Sequence, residues 1–345
     1  MSSTGSFCLE RQIFDPTVVS DASRAFTDRL QVQSRTATRW YDVGAAEYRQ
    51  LRANGTTILP GTIYLPDATD ISIPSRDRDR SIPCRILRPQ TEAVVDGVLM
   101  HVHGGGWCLG DEKSQDTLLQ DVANAHNLVC ISVGYRLAPE FPFPSGPQDC
   151  FDVAEWLVDH AQQRFGAPLC FVGGESAGAH LSLLAVLYML QHGIGRYSEF
   201  RLKGLLLHYG CFSLRWLPSV YEVSRRVPSL VLDLRILSAF RDAFVPGWTD
   251  ATLDKAELSP LYAELDRLRG KLPPTLFTCG TEDYLLDDTL FMSTRWLVAG
   301  GEVTVKIIPG APHGFMSFPR DTEGSGSAEG RDIMDSFLAA RMHGS

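Results

Sequence analysis

Residues 174–178 read Gly174-Glu175-Ser176-Ala177-Gly178, which fits the pattern Gly-x-Ser-x-Gly. This pattern is typical of a serine on a sharp turn between a strand and a helix, where side chains at the two glycine positions would clash. A serine exposed on such a turn becomes a nucleophile when a neighbouring base takes its proton. The pentapeptide therefore predicts a nucleophilic serine, Ser176, between a strand and a helix.

A second motif, His103-Gly104-Gly105-Gly106-Trp107, lies upstream of the serine. Consecutive glycines let backbone N–H groups approach a substrate oxyanion without a Cβ in the way. Acyl transfer needs a hydroxyl to attack the carbonyl carbon and N–H donors to bind the negative charge that results. The two motifs together make ester hydrolysis the leading hypothesis.

Around these motifs, apolar strand-like runs alternate with helical segments. The alternation predicts an α/β fold with a doubly wound, mostly parallel sheet, whose chemistry lies at the carboxyl ends of its strands. The stretch Ala177–Leu190 is apolar but too short to span a bilayer, so we expect a buried helix behind the serine. The predicted strands are Val98–Val102, Leu128–Val133, Leu169–Val172, Gly204–His208, Thr275–Thr278 and Val303–Ile308.

The beginning of the chain has a different pattern. Apolar residues at helical spacing predict helices over Asp21–Gln31 and Thr36–Leu51. Short strands are expected at Thr62–Leu65 and Ile82–Leu87. The charged segment 76–80 between those strands is interpreted as a solvated hairpin loop without a function.

A mid-chain segment, residues 211–260, interrupts the alternation with mostly helical sequence, including a predicted helix over Asp233–Val245. We interpret it as a lid formed together with the N-terminal helices, because a catalytic pocket needs walls that exclude water. Simple additional packing is the alternative. The predicted division is 1–55 as N-terminal cap helices, 56–210 and 261–345 as the core, and 211–260 as the cap insertion.

Composition and charge exclude several classes of protein. The 345 residues carry a formal net charge of −9 and no basic run, which argues against a nucleic-acid surface. The opening residues lack a charged head followed by an apolar core, so no secretory signal is expected. None of the eight cysteines forms a Cys-x-x-Cys pair, so we expect reduced thiols in a cytoplasmic protein. The acyl-transfer chemistry is expected to need no metal and no cofactor. Modification of Cys108, beside the glycine motif, is expected to block the site.

A serine nucleophile requires a base, and the base requires an orienting carboxylate. Where such a serine lies between a strand and a helix of an α/β sheet, the acid and then the histidine follow the serine along the chain. His313 is the predicted base, because it lies in a turn-rich loop directly after the last predicted strand. The other downstream histidines are interpreted as unable to reach the serine (His180), as shaping the pocket (His208) or as solvated (His192 and His343).

The acid should follow the strand Thr275–Thr278, where Glu282, Asp283, Asp287 and Asp288 are the candidates. Asp287 and Asp288 resemble the first turn of the next helix, where the helix dipole favours acidic residues regardless of function. Asp283 is therefore the predicted acid.

With these residues in place, the chain resembles the hormone-sensitive-lipase-like branch of the α/β-hydrolases over residues 103–315. An ordered set of motifs is far more specific than a lone Gly-x-Ser-x-Gly. Besides the two motifs above, the set contains Tyr135–Glu140 with Pro142–Pro144, Ser259–Leu261, Leu272–Pro274, Asp283 with Leu285 and Asp287, and His313–Phe315.

The resemblance implies an α/β-hydrolase fold, in which helices flank a mostly parallel central sheet and a helical cap comes from the N-terminus and a mid-chain insertion. It implies that Ser176, Asp283 and His313 form a catalytic triad. The implied oxyanion hole consists of Gly104, Gly105, Gly106 and Ala177. His103 and Trp107 are expected to shape the glycine loop. Glu175 stands where the family usually has aspartate and is expected at most to tune the site.

The implied activity is that of a serine carboxylesterase, which hydrolyses short- to medium-chain or acetyl esters of a small molecule through an acyl-enzyme. The same triad would also serve acyl transfer, lactone formation or formamide hydrolysis, and the residues do not separate these reactions. A non-catalytic small-molecule receptor is a remote alternative, because its signature would be loss of the histidine and His313 is present. The fold is compatible with a homodimer, and neither a nucleic-acid partner nor stable membrane insertion is expected.

Overall fold

The computed structural model describes residues 8–91, 93–191, 197, 199–227 and 230–343. Within these residues, the chain forms eight β-strands and eleven α-helices. The strands are β1 (Thr69–Pro74), β2 (Ser81–Leu87), β3 (Gly97–Val102), β4 (Leu128–Val133), β5 (Leu169–Glu175), β6 (Gly204–His208), β7 (Thr275–Glu282) and β8 (Val303–Pro312). The helices are α1 (Asp21–Thr36), α2 (Trp40–Val43), α3 (Ala45–Ala53), α4 (Asp116–His126), α5 (Ser145–Phe165), α6 (Ala177–Gln191), α7 (Pro218–Arg226), α8 (Leu234–Phe244), α9 (Asp250–Leu253), α10 (Leu286–Val298) and α11 (Ser327–His343).

The strands form one sheet in the order β1-β2-β4-β3-β5-β6-β7-β8. β2 pairs antiparallel with both β1 and β4, and the remaining neighbours are parallel. Parallel neighbours need long crossovers, which the helices supply, and their carboxyl ends meet at one edge of the sheet. This mostly parallel sheet, flanked by helices, confirms the predicted fold class.

The central strands are buried on both faces. In β4, Val129, Ile131 and Val133 belong to a hydrophobic cluster that also contains apolar residues of α5, α6 and α10. Leu128 and Cys130 of the same strand belong to a second cluster, together with apolar residues of α4 and α11. Because successive side chains of a strand point to opposite faces, burial of both faces requires a continuous apolar run in the sequence.

The apolar stretch after the serine forms α6, which confirms the predicted buried helix. Of its 15 residues, 13 are buried, and the helix packs against β5 and α5. Neither α6 nor any other helix in the described part of the chain is long and apolar enough to cross a membrane.

The predicted helices outside the central sheet are confirmed in two places and divided in a third. α1 extends the predicted helix Asp21–Gln31 at its C-terminal end. α8 matches the predicted helix Asp233–Val245, and the Asp233 side chain caps it by accepting a backbone N–H. The predicted helix Thr36–Leu51 is instead two helices, α2 and α3, because Gly44 between them has a φ of 89°, which is not helical.

The predicted strand Thr62–Leu65 is wrong. This segment is irregular, and its last residue forms backbone hydrogen bonds with side chains instead of with a neighbouring strand. The N–H of Leu65 donates to Asp116 at 2.9 Å, and its carbonyl accepts from the guanidinium of Arg85 at 2.7 Å. The first strand is β1, whose partner is β2.

The charged segment 76–80 is more than the solvated loop predicted from the sequence. The guanidinium of Arg76 lies 2.7 Å from the Asp152 carboxylate, and that of Arg80 lies 2.6 Å from the Asp149 carboxylate. Both acids belong to α5, and the side chain of Asp149 is fully buried. The segment therefore ties the β1–β2 hairpin to α5.

Candidate active site

Ser176 occupies the turn between β5 and α6 with a left-handed backbone, φ 56°. Its N–H donates to the carbonyl of His208 at 2.9 Å, which anchors the turn to the neighbouring strand β6. A Cβ added at Gly174 or at Gly178 would lie 2.1 Å or 1.9 Å from the carbonyl oxygen of Val102. The two glycines are therefore required because the turn presses against the end of β3.

The structure brings Ser176, His313 and Asp283 together at the carboxyl edge of the sheet. Nε2 of His313 lies 2.8 Å from Oγ of Ser176, and Nδ1 lies 3.0 Å and 2.9 Å from the two oxygens of Asp283. A carboxylate can only accept, so Nδ1 carries the proton and Nε2 is left to accept from the serine hydroxyl. Asp283 is fully buried and also accepts the N–H of Leu285 at 2.9 Å, which orients the carboxylate.

A tyrosine that the sequence analysis missed packs against the imidazole. The ring of Tyr209 meets the ring of His313 edge to face, with the centroids 4.9 Å apart. Tyr209 also meets Phe315 edge to face at 4.8 Å. Its position directly after β6 is the only sequence signal that could have placed it here. The packing restricts the orientation of the histidine ring.

Residues 105 and 106 of the glycine loop adopt backbone conformations that exclude other side chains. Their φ angles are 118° for Gly105 and 59° for Gly106. A Cβ at Gly105 would lie 2.3 Å from the carbonyl oxygen of Leu109, and one at Gly106 would lie 2.3 Å from the ring of Phe240 in α8. The loop is therefore tightly packed between its own backbone and the mid-chain helical segment.

The backbone N–H groups of the glycine loop and of Ala177 differ in whether they already have a hydrogen-bond acceptor. The N–H of Gly104 donates to Oε1 of Glu175 at 3.2 Å, so this amide already has an acceptor. Ala177 is the first residue of α6, and an N–H at that position has no acceptor within its helix. Of the predicted oxyanion-hole residues, Gly104 thus has an N–H that is already engaged, whereas the N–H of Ala177 has no acceptor within α6.

Glu175 lies directly behind the site, and donors surround its carboxylate. Oε2 is 2.8 Å from Nε2 of His101, and Oε1 accepts from the amide of Gln115 at 2.9 Å. Burial by itself raises the pKa of Glu175. The attraction of His101 and the donated hydrogen bonds outweigh that effect and lower the pKa to about 2. An ionised Glu175 therefore joins β3, the glycine loop and the serine turn.

The rings of His103 and Trp107 pack beneath the glycine loop. Nδ1 of His103 donates to the carbonyl of Gly104 at 2.8 Å, and its ring stacks on Tyr135 with the centroids 4.3 Å apart. Burial lowers the pKa of His103 to about 4, which keeps the ring neutral near pH 7. The indole N–H of Trp107 donates to Nδ1 of His180 at 3.0 Å. Both rings contact the protein interior, as expected for residues that shape the loop.

A cleft of about 1040 Å³, including its opening to solvent, lies over the serine. Its walls come from the N-terminal helices and from α8, and Trp40 of α2 stacks on Phe240 of α8 with the ring centroids 5.0 Å apart. The guanidinium of Arg49 in α3 donates to Glu140 at 2.8 Å and to the carbonyl of Cys108 at 2.7 Å. The first helices are thereby attached to the glycine loop and to the mid-chain segment.

One expectation about a residue near the site is wrong. Cys108 is fully buried, and burial raises its pKa to about 12, so it is not a reactive thiol. His208 shapes the site through its backbone carbonyl, which accepts the N–H of Ser176, while its ring is buried 2.8 Å from Oγ1 of Thr278. His192 lies outside the described residues, as does the side chain of His343.

Comparison with known proteins shows the family of the chain. A family model of the alpha/beta hydrolase fold matches residues 99–317. Carboxylic ester hydrolase LipN of Mycobacterium tuberculosis is 31% identical over 291 residues, which cover 82% of this chain and 73% of that protein. The chain belongs to the α/β-hydrolases. It lies in their hormone-sensitive-lipase-like branch, which confirms the resemblance.

The α/β-hydrolase is similar to two further proteins. Ethyl acetate hydrolase of Pseudomonas putida is 29% identical over 79% of this chain and 83% of that protein. The solved structure of the hyperthermophilic esterase from the archaeon Pyrobaculum calidifontis matches with a TM-score of 0.77 at 24% identity, over 94% of this chain and 98% of that chain. The structural match shows the shared fold.

The α/β-hydrolase also contains a buried carboxyl group whose role the sequence analysis did not anticipate. Asp288 does lie in the first turn of α10, but its side chain points into the interior. Oδ1 accepts the backbone N–H groups of Phe212 and Ser213 at 2.6 Å and 2.8 Å. Asp288 therefore fixes the chain where it leaves β6 for the mid-chain segment. Burial raises its pKa to about 8.

We expect Asp288→Asn to flatten the pH dependence of stability. Between the unfolded pKa near 3.8 and the folded pKa near 8, the native state holds a proton that the unfolded state has lost. Wild-type stability therefore falls as pH rises through this window, by an amount on the order of 2–5 kcal/mol. Urea unfolding at pH 4 and pH 8 measures the difference, and parallel profiles of the two proteins would contradict it. The asparagine oxygen can still accept both backbone N–H groups.

Proposed function

We propose that this α/β-hydrolase is a serine carboxylesterase that cleaves short- to medium-chain or acetyl esters of a small molecule. The observation that carries the proposal is the continuous hydrogen-bonded chain from Ser176 through His313 to Asp283, at 2.8 Å and 2.9 Å, within the cleft. Ethyl acetate hydrolase and LipN, both relatives of this chain, support an ester as the substrate.

In the proposed first half-reaction, Oγ of Ser176 attacks the ester carbonyl carbon while Nε2 of His313 takes the hydroxyl proton. The electron pair of the C=O double bond moves to oxygen and forms a tetrahedral oxyanion. We assign Gly105, Gly106 and Ala177 as the N–H donors to that oxygen. One such donor contributes about 3 kcal/mol or somewhat more in the transition state.

The tetrahedral intermediate collapses when the bond to the alcohol oxygen breaks. The imidazolium of His313 delivers its proton to the departing alcohol, which leaves an acyl group on Oγ of Ser176. Water then attacks the acyl carbon by the same path, His313 again acts as base and then as acid, and the carboxylic acid is released. The buried carboxylate of Asp283 stabilises the imidazolium that forms in each half.

We further propose that the helices of residues 1–55 and 211–260 form a cap over a core of residues 56–210 and 261–345. The contact between Trp40 and Phe240 supports this division, because it joins the two helical segments above the glycine loop. Apolar walls exclude water and strengthen the electrostatic interactions at the reacting atoms. The free cysteines, seven of them buried, support a reducing, cytoplasmic setting.

A series of p-nitrophenyl esters from acetate to laurate, assayed with and without an added alcohol acceptor, tests the proposed function. We expect kcat/KM to be highest for the short and medium chains, with the free acid as the main product. If the main product were instead the ester of the added alcohol, the activity would be acyl transfer and not hydrolysis. Absence of turnover with every ester would refute the esterase and favour lactone formation, formamide hydrolysis or a receptor.

A further inference from the structure

Two arginines line the cleft, and their surroundings differ. Arg39 lies next to α2, and its guanidinium donates to the carbonyl and the hydroxyl of Ser34 at 2.9 Å and 3.0 Å. It also lies 4.0 Å from the carboxylate of Asp233. Arg52, in the last turn of α3, faces the cleft from the side of the glycine loop. The charge of Arg39 is therefore compensated within the protein.

The guanidinium of Arg52 lacks such compensation. Its Nε is buried, and no described residue accepts a hydrogen bond from it. No carboxylate of a described residue lies within 4.0 Å of the side chain. Burial lowers the pKa of Arg52, as expected for a cation that has lost water without gaining an anion. Arginine nevertheless stays charged in proteins, so the cleft keeps a positive charge that is only partly hydrated.

Two acids attract Arg52 through space, and both already accept hydrogen bonds from other groups. Glu175 and Asp111 attract Arg52 through space, but Glu175 accepts the hydrogen bonds described above. The carboxylate of Asp111 accepts the hydroxyl of Ser114 and the N–H of Lys113, at 2.8 Å and 3.1 Å. An external anion would therefore stabilise this unpaired cation in a mostly apolar cleft.

We propose that Arg52 binds a carboxylate carried by the ester substrate. The substrate class is then an ester with a free carboxylate, such as the half-ester of a dicarboxylic acid or an acylated hydroxy acid. The planar guanidinium fork suits a carboxylate because two parallel N–H···O bonds can form. This inference rests on the proposed esterase function of the same cleft. Arg52 acts in recognition and takes no part in bond making.

Matched ester pairs test the inference. The acyl-side pair is mono-p-nitrophenyl glutarate with p-nitrophenyl pentanoate, and the alcohol-side pair is 3-acetoxybenzoate with phenyl acetate, each corrected for spontaneous hydrolysis. We expect the wild type to prefer the carboxylate member of at least one pair. Arg52→Met should lower the ratio of the two kcat/KM values by roughly tenfold to hundredfold, chiefly through KM. Arg52→Lys should retain only part of the preference, because the charge remains but the two parallel N–H···O bonds of the guanidinium cannot form.

Arg39→Met is the matched control, because it removes a cleft arginine whose charge is already compensated, and it should leave the ratio unchanged. An equal ratio in wild type and Arg52→Met would overturn the inference, whereas the esterase function would stand if both still cleave the neutral esters. If no ester is cleaved, titration calorimetry with 3-hydroxybenzoate measures carboxylate binding in the cleft directly. Weaker binding by Arg52→Met than by the wild type supports the carboxylate site, and equal or absent binding overturns it.

Discussion

Ser176→Ala is expected to lower kcat/KM for p-nitrophenyl esters by a factor on the order of 10⁶. The hydroxyl oxygen is the atom that would bond to the acyl carbon, and it lies 2.8 Å from the base, His313. Alanine keeps the Cβ, so the left-handed backbone at this position is no more strained than with serine. We therefore expect the free energy of unfolding to change by no more than about 1 kcal/mol. Initial rates and urea unfolding measure the two quantities.

Ser182→Ala is the matched control for this prediction. Ser182 lies on the same helix, α6, and its buried hydroxyl has no hydrogen-bond partner among the described residues. Removing it should leave kcat/KM close to that of the wild type. A p-nitrophenyl phosphonate should add mass to the peptide containing Ser176 in the wild type and in Ser182→Ala only. Substantial turnover by Ser176→Ala would show that another nucleophile performs the reaction.

The parts that were predictable from the sequence depend on short-range backbone geometry. Gly174 and Gly178 predict the serine turn because that turn leaves no room for a Cβ next to β3. His313 was chosen because it lies in a turn-rich loop after the last strand, and the structure brings it to the serine across 137 positions of chain. Such distant residues meet because parallel strands bring their carboxyl ends to one edge.

The parts that were not predictable depend on pairs of side chains that are distant in sequence. Arg80 and Asp149 are 69 positions apart, and no local pattern shows that the charged segment 76–80 meets a buried acid. For the same reason Thr62–Leu65 was mistaken for a strand, because its apolar residues suggest pairing and the partner cannot be seen. The sequence around Asp288 resembles the start of an ordinary helix, and only the fold reveals that its side chain is buried.

The unpaired charge of Arg52 belongs to the same class of hidden features. Its sequence neighbours resemble those of any arginine near the end of a helix, where cations are favoured by the dipole. Its lack of a partner among the described residues appears only when α3 is placed over the cleft, which the engaged Glu175 also lines. Substrate recognition by the walls is therefore harder to predict than the chemistry at the floor of the cleft.

Asp283→Asn is expected to lower kcat for the same esters by about 10⁴-fold, with little change in KM. In the wild type, the carboxylate accepts the proton on Nδ1 of His313 at 2.9 Å and thereby leaves Nε2 free to accept from Ser176. An asparagine amide can donate to Nδ1, which moves the ring proton to Nε2. The imidazole then faces the serine with a proton already in place and cannot act as its base.

Asp287→Asn separates this effect from the loss of a nearby acidic group. Asp287 lies four residues further along, and its carboxylate accepts the backbone N–H of Ser219 at 2.8 Å, a bond that an asparagine oxygen can keep. Steady-state kinetics should show a loss of kcat for Asp283→Asn alone. An equal loss in both variants would mean that the acidic segment acts through the general charge of the site. Orientation of His313 by Asp283 predicts instead that only the residue in contact with Nδ1 matters.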